Sequence, residues 1–434
     1  MKTSKKFIYT KQQLQIVEMV KKNKISIMTG GPGTGKSTTL LLVIEWAASE
    51  NMNIIQAAPT GKAAKRMMES TGHYASTIHT MLGCIFDNGN FQFAHNKDNP
   101  LQTDLLILDE ISMITNDLMC RVLEAVNPKR TRVLLVGDQD QLPSVGAGAI
   151  LRDILGSKTI PHIELDVIHR NSGAIVTACH KIKNGQLYFP AKSLDLSADP
   201  PVNLIHIECS TPEMTLAGVE AMVCNRMPLR GYNPIDDIQV LSPVNTKGLL
   251  SCESINGVLR DRLNPDTGGM FGDGGGEQYP FRPGDKVINT KNSRLQTTTG
   301  DEVMIVNGDI GIVKEIRGKD IVINFPDPDR EVEIPKKDKH LLHAYCITCH
   351  KFQGSEAPVI IIPVHRQFNY FLSNSWIYTA ISRGKEIVIT LGDFNTIERA
   401  IKNRVPNNRK TKLAERIVAT RRNQIFQAEE FASI

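Results

Sequence analysis

Short runs of consecutive apolar residues, each closed by a glycine or an acidic turn and followed by a helical stretch, recur through the first half: "ISIMTGGPGTGKS", "NIIQAAPTGKAAKRMM", "LLILDEISM" and "RVLLVGDQDQLP". A run with no polar face predicts a strand covered on both sides, and its alternation with helices predicts a parallel α/β sheet. The same grammar returns in "IQVLSPV", "APVIIIPV" and "EIVITLGDF", which predicts a second sheet domain. Within that second half, the glycine- and proline-rich "NPDTGGMFGDGGGEQYPFRPGDK" predicts a loop. The stretch after it, "EVMIVNGDIGIVKEIRGKDIVINFPDPDREVEIP", alternates β-branched and polar residues across turn signals at Asn307-Gly308 and Arg317-Gly318. That pattern predicts a small antiparallel barrel inserted in the second sheet domain.

"GCIFDNGNFQFAHNKDN" reads as a hairpin with Asn88-Gly89 as its type I′ turn. Phe86 then opposes Phe91, Cys84 opposes Phe93, and period-two alternation puts all four on one face. That face either packs on the neighbouring domain or stacks on a base pair; the two uses are compatible if the base packs and the tip is exposed.

With 434 residues, 41% of them hydrophobic, the chain can fill two or three cores of its own. It has no long uncharged apolar run, and its N-terminus carries lysines without a signal-type apolar stretch, so a cytoplasmic protein is expected, in the host cytoplasm if the chain is viral, with no membrane partner. The net charge of +5 permits a polyanionic partner and makes any nucleic-acid surface local. Eight cysteines spread through apolar or mixed segments read as free thiols. Cys346-x-x-Cys349 beside His350 raises the question of zinc, but a structural zinc site needs a second ligand pair and the chain has no other C-x-x-C. From about residue 396 the chain turns helical and basic, with nine Lys or Arg against one acid between Arg399 and Arg422. A solvated helix face and a nucleic-acid contact both fit that run.

Gly30-Gly31-Pro32-Gly33-Thr34-Gly35-Lys36-Ser37 matches G-x-x-x-x-G-K-[ST] between an apolar strand and a helix. Backbone N–H groups there can wrap phosphates, Lys36 can reach the β and γ oxygens, and Ser37 can ligate magnesium. Asp109-Glu110 closes "LLIL" and brings two carboxylates to the sheet edge: Asp109 for magnesium, Glu110 as general base for the attacking water. Gln141 in "VGDQDQLPSV" is a candidate γ-phosphate sensor, and Arg170 in "IHRN" a candidate arginine finger. A nucleotide switch or kinase would share only the P-loop and would leave "HKFQGSE" and "TAISR" without a task.

In this order "TGGPGTGKST", "APTGKAAKRM", "ASTIH", "LLILDEISM", "VGDQDQLPSVGAG", "AYCITCHKFQGSE" and "IYTAISRGK" resemble the motifs of superfamily 1 helicases, and most closely the RecD and Dda group, over roughly residues 8 to 395. The resemblance implies an α/β fold with two RecA-like parallel-sheet motor domains: residues 1–175, carrying a β-hairpin pin at 83–103, and residues 176–395, carrying an SH3-like β-barrel at 291–344. A basic helical extension at 396–434 would follow, in a compact plan close to Dda. It implies ATP and Mg2+ as cofactors, with Gln13 on the adenine, Gly31 to Thr38 around the phosphates, and Gly354, Glu356 and the second arginine finger Arg383 completing the pocket. It implies a DNA track formed by Pro59, Thr60, Lys62, Thr77, His79, Phe86, Phe91, Phe93, Asn245, Asn307, Thr348, His350 and Lys351, with Cys346 and Cys349 as apolar packers. The implied activity is 5′-to-3′ movement on single-stranded DNA with duplex separation at ss/ds junctions, by a monomer served by a single-strand-binding protein or replisome component. An RNA helicase, or a translocase without strong unwinding, stays open, because phosphate contacts do not read the sugar strongly.

Overall fold

A computed structural model describes residues 9–87, 90–167, 173–265, 281–326, 329–404, 409 and 411–421. Asn88, Gly89, Arg170 and residues 266–280 of the glycine-rich loop lie outside the described residues, as do the side chains of Phe86 and Phe91. Contacts divide the chain into two units, one of Met1–Pro59, Ala63–Arg170 and Pro406–Ile434, the other of Thr60–Lys62 and Asn171–Val405.

The first unit opens with helix α1 (Lys11–Lys22). A capping box starts it: the Thr10 hydroxyl accepts from the Gln13 N–H at 3.3 Å, and Gln13 Oε1 accepts from the Thr10 N–H at 2.8 Å. Its strands in chain order are β1 (Ile25–Gly30), β2 (Ile54–Ala58), β3 (Ala75–Thr77), β4 (Cys84–Asp87), β5 (Asn90–Phe93), β6 (Leu105–Leu108), β7 (Arg132–Gly137) and β8 (His162–Leu165). The helices between them are α2 (Lys36–Ser49), α3 (Gly61–Thr71), α4 (Ile78–Met81), α5 (Asn116–Glu124) and α6 (Ile150–Ser157). Six of the strands form one parallel sheet in the order β3-β2-β6-β7-β1-β8.

The apolar runs follow from that placement. Leu105, Ile107, Leu134 and Val136 enter the core on one face, while Leu106, Leu108, Val133 and Leu135 enter the core on the other. Successive residues of a strand point to opposite faces, so a strand covered on both must be apolar throughout. The strands with no such run, β3 and β8, are the edges of the sheet, short and partly polar, where double burial is not required.

β4 and β5 form an antiparallel pair with Cys84 opposite Phe93 and Phe86 opposite Phe91, the register that the turn chemistry predicts. At its base the Phe93 ring packs against the first unit's core and Arg121 lies over it at 5.7 Å, while Ile85 is exposed. Phe93, expected on the DNA track, packs at the hairpin's base.

In the second unit the elements are α7 (Gly173–Lys183), β9 (Leu204–Glu208), α8 (Pro212–Ala221), β10 (Ile238–Ser242) and α9 (Cys252–Leu263). Strands β11 (Lys286–Asn289), β12 (Ser293–Gln296), β13 (Glu302–Ile305), β14 (Ile310–Arg317), β15 (Asp320–Pro326), β16 (Asp329–Pro335) and β17 (Leu341–His343) come next. The unit ends with β18 (Cys346–Thr348), β19 (Ala357–Val364), α10 (Asn374–Ile381), β20 (Gly384–Gly392) and α11 (Phe394–Lys402). A second parallel sheet runs β18-β10-β19-β20-β9. Cys346 and Cys349 are buried free thiols, and Cys346 belongs to the core of this sheet, as expected of apolar packers.

A five-stranded antiparallel sheet, β16-β15-β14-β11-β17, has its own core around Val287, Val313, Ile323 and Phe325. It starts at Lys286, ahead of the expected boundary at 291, because β11 pairs with both β14 and β17. Asn307-Gly308 does not close a hairpin here. β13 pairs with β12 and β14 pairs with β11 and β15, so the dipeptide links two different pairings, tied by Gly308 N–H to the Asn289 carbonyl at 2.8 Å. The β14–β15 turn is Gly318-Lys319, since Arg317 pairs with Asp320 and Gly318 has φ 53°.

The expected extension at 396–434 is two different things. Helix α11 buries Ile397, Ala400 and Ile401 in the second unit. A further helix over 413–421 belongs to the first unit, with Leu413 and Ile417 against its core. No helix among the described residues is long and apolar enough to cross a membrane.

Candidate nucleotide site and nucleic-acid track

Three adjacent strands of the first sheet, β6, β7 and β1, carry the candidate chemistry in the loops at their carboxyl ends. After β1, Gly33 and Gly35 take φ 72° and 85°, left-handed values that let the loop turn its N–H groups inward before α2 starts at Lys36. Lys36 Nζ donates to the Gly30 and Gly31 carbonyls at 2.6 and 3.0 Å, and Thr34 Oγ1 donates to the Gly31 carbonyl at 2.8 Å. Those bonds set the loop's shape. Ser37 is exposed on the first turn of α2, where the helix dipole favours an anion, and Pro32 and Thr38 are half-buried beside it.

After β6, Asp109 Oδ1 accepts from the Glu110 N–H at 2.8 Å. Glu110 has φ 53°, a costly conformation for a residue with a Cβ, and its carboxylate is only 5% exposed. Arg66 Nη2 on α3 reaches Glu110 Oε1 at 3.4 Å. Burial, and then the negative charge of Glu110, push the Asp109 carboxyl up to about 6. Sequence reasoning missed Arg66, although it sits one helical turn after Lys62, on the same face. After β7, buried Asp138 accepts from the Asp140 N–H at 3.0 Å and from Gln141 Nε2 at 3.4 Å, which turns Gln141 toward the loop's interior. Gln13 is buried and uses its Oε1 in the α1 cap.

The expected track residues of the first unit lie on the outer strands. Pro59 follows β2 in the first unit, while Thr60 and Lys62, at the start of α3, group with the second unit; all three are half-buried. Thr77 ends β3 and caps α4 by accepting from the Thr80 N–H at 3.1 Å. His79 lies within α4, and desolvation lowers its pKa. In the second unit Ser242 pairs with Thr348 at the ends of β10 and β18, so the loops beyond them emerge together. One carries exposed Asn245; the other carries exposed His350 and half-buried Lys351, whose N–H donates to Thr348 Oγ1 at 3.4 Å. Gly354 has φ 75°, Glu356 is half-buried, and buried Arg383 donates through Nη1 to the Ser355 carbonyl at 3.4 Å. These three are one local cluster. Asn307 is exposed on its turn, its N–H bonded to Asn292 Oδ1 at 2.7 Å.

Comparison with known proteins fits this layout. A family profile described as an AAA domain matches residues 8–199, and one described as a UvrD-like helicase C-terminal domain matches residues 343–390. The chain is similar to the ATP-dependent RecD2 DNA helicase of Deinococcus radiodurans, 34% identical over 94% of this chain and 52% of that protein, so it spans about half that relative's length. It is also similar to the RecBCD enzyme subunit RecD of Mycolicibacterium smegmatis, 31% identical over 87% of this chain and 70% of that subunit. Among solved structures, Bacteroides Pif1 bound to ssDNA shares the fold with a TM-score of 0.52, at 21% identity and over 88% of this chain and 92% of that one. Two α/β units on parallel sheets, a P-loop beside an acidic pair and identity sustained along a RecD subunit place the chain in the RecD family of superfamily 1 helicases.

Proposed function

We propose that the chain is an ATP- and magnesium-dependent DNA helicase that moves 5′-to-3′ on single-stranded DNA and separates duplexes at the junction. The observation that carries this reading is the side-by-side emergence of the P-loop, Asp109-Glu110 and Asp138–Gln141 from three neighbouring strands. Lys36 and the P-loop amides hold the triphosphate, Glu110 takes a proton from the attacking water, and Gln141 answers to the γ-phosphate. Magnesium, when bound, neutralises charge on the β- and γ-phosphate oxygens. Ser37, exposed on the first turn of α2, and Asp109, just after β6, would hold it, an alcohol and a carboxylate being the oxygen donors that magnesium takes. In this reading Gly354, Glu356 and Arg383 serve the nucleotide, and the hydroxyls of Thr60, Thr77 and Thr348, the ammonium groups of Lys62 and Lys351 and the imidazoles of His79 and His350, whose charged form desolvation disfavours, hold phosphates without reading sequence.

DNA as the track is supported by the relatives' names: the Deinococcus protein is a DNA helicase, and the Bacteroides one was solved on ssDNA. In this reading the β4–β5 hairpin is the separation pin, with its base anchored by Phe93, and the antiparallel sheet from Lys286 to His343 is an SH3-like insertion beside the track.

Strand displacement with ATP and magnesium, on duplexes carrying a 5′ or a 3′ single-stranded tail, tests the whole reading. Unwinding from the 5′ tail alone is expected. Unwinding from the 3′ tail overturns the polarity, DNA-stimulated hydrolysis without unwinding leaves a translocase, and stimulation by RNA above DNA changes the track. Phe86→Ala with Phe91→Ala should spare hydrolysis stimulated by single strands and lose duplex separation; equal loss of both activities removes the pin.

A further inference from the structure

The loop that carries Gln141 runs from Asp138 at the end of β7 to α6 at Ile150, and its second half has little side-chain packing of its own. Val145, Gly146 and Ala147 are exposed, and Val145 is 84% exposed. Such a stretch is held through its backbone or not at all, because carbonyls outside helix and sheet need partners from elsewhere. Besides Ser144 Oγ, which donates to the Gly146 carbonyl at 3.5 Å, two of the described residues outside the loop supply them. Asn116 at the start of α5 donates its N–H to the Ala147 carbonyl at 3.0 Å, and its side chain sits where a Cβ on Gly148 would fall, 2.1 Å from Oδ1. The other is Arg409, which the chain reaches only after it has completed the second unit.

Arg409 spends its guanidinium on this loop. Nη1 donates to Ser144 Oγ at 3.1 Å and to the Gly146 and Gly148 carbonyls, each at 2.7 Å, and Nη2 donates to the Ser144 carbonyl. The Arg409 carbonyl in turn accepts from Arg152 Nη2 at 3.1 Å. Beyond it, Thr411 Oγ1 bonds the buried Asp153 carboxylate, Leu413 and Ile417 enter the first unit's core, and Arg421 Nη1 donates to the Thr159 carbonyl. One planar fork thus satisfies backbone acceptors on Ser144, Gly146 and Gly148, which lie a few residues after Gln141; an ammonium cannot present that geometry.

We propose that Arg409, on the C-terminal arm, is a positioning residue for ATP hydrolysis: it holds the 144–148 loop so that Gln141 is presented to the nucleotide. The basic run is on this account part of the ATPase unit. It is neither a solvated face nor a DNA contact at Arg409, whose Nη1 and Nη2 both donate to the loop. The proposal rests on the reading of Gln141 as the γ-phosphate sensor, and the test separates the two.

DNA-stimulated turnover is measured on the full chain for Arg409→Ala, Arg409→Lys, Gln141→Ala and the Arg409→Ala/Gln141→Ala double variant, with Arg421→Ala as the control for loosening the arm at its far end. Melting temperature and single-strand affinity are measured alongside. Arg409→Ala should lower kcat about tenfold, equivalent to ~1.4 kcal/mol of transition-state stabilisation, with KM for ATP changed less than twofold. Arg409→Lys should recover little of it and should keep the fold if Arg409→Ala does not. Arg421→Ala should lower the melting temperature and leave kcat alone. In the Gln141→Ala background, Arg409→Ala should cost nothing further, because both act through one group. If Gln141→Ala turns over at the wild-type rate, the sensor reading fails. If Gln141→Ala is impaired while Arg409→Ala and Arg409→Lys are not, or if the two losses multiply, the positioning role of Arg409 is overturned. A fall in single-strand affinity with kcat intact would return Arg409 to the DNA-contact reading.

Discussion

At the carboxyl edge of the first sheet, neighbouring strands deliver Lys36, Asp109, Glu110, Asp138 and Gln141. At the same edge of the second sheet, the paired strands β10 and β18 deliver Ser242 and Thr348, with Asn245, His350 and Lys351 in the loops beyond. The two scaffolds follow one rule, parallel strands sealed by apolar residues on both faces. What differs is the charge placed in the loops. The first edge holds two carboxylates side by side: burial, and then the charge of Glu110, push Asp109 up to about 6, and Glu110 is held by Arg66. The second offers neutral hydroxyls, an amide, the Lys351 ammonium and the His350 imidazole, whose charged form desolvation disfavours. A fold of this kind is a way of aligning loops, and the chemistry is decided by what the loops carry. In the function proposed above, the first edge turns over nucleotide and the second holds the strand.

Lys36→Ala is the hardest blow to the first edge. Removing the cation that closes the P-loop and that, in the proposed function, meets the phosphates should lower kcat for ATP on the order of a hundredfold to a thousandfold. The melting temperature should hold, because the lost partners are two loop carbonyls. Turnover that survives this change would end the assignment of the first edge to hydrolysis. Arg66→Ala is expected to cost less, about tenfold in kcat, since Glu110 keeps its place in the backbone and loses an ion partner at 3.4 Å. An effect on DNA affinity instead would move Arg66 from the nucleotide to the track.

Thr348→Val tests the other edge. The hydroxyl caps the Lys351 N–H, and losing one such bond costs ~1 kcal/mol. Half-maximal stimulation should therefore need roughly fivefold more single-stranded DNA, with kcat at saturating DNA unchanged. A fall in kcat with unchanged DNA affinity would erase the division of labour.

Much of this was legible in the residues because burial on both faces leaves an unbroken apolar run, as in Leu105–Leu108 and Val133–Val136, and because a P-loop constrains glycines and a lysine at fixed spacing. The hairpin register was legible for the same kind of reason, a turn type that dictates which residues oppose. The misses share a cause too. β3 and β8 lie at sheet edges, where no apolar run is demanded. Arg66 and Asp138 act by orienting Glu110 and Gln141, and a supporting residue carries no motif of its own. Asn307-Gly308 looked like a hairpin turn, but strand pairing is a long-range choice, and β13 and β14 found other partners. The use of Arg409 could not be read from a basic run, because the carbonyls it satisfies are far away in sequence.

The smallest expected effect concerns a perturbed group that lies away from both edges. Lys286 on β11 is buried, donates through Nζ to the Ile238 carbonyl at 3.0 Å, and is pushed by burial down to about 7. Perturbed cations often mark active sites, but this one sits where the antiparallel sheet joins β10, which argues for a structural role. The sign follows from linkage. The folded value lies below the unfolded value of ~10.4, so between about pH 7 and pH 10 the unfolded chain binds the extra proton and stability rises with pH; below the folded value both states are protonated and this contribution is flat. Lys286→Met removes the titration. Between pH 7 and pH 9 the wild-type melting temperature should gain on that of the variant by about 1 °C per pH unit, with DNA-stimulated turnover equal in the two proteins. A variant that melts in parallel with the wild type would show that the amine reaches water in the folded chain. One that loses turnover would place reactive chemistry in the second unit, and the contrast between the two edges would fall with it.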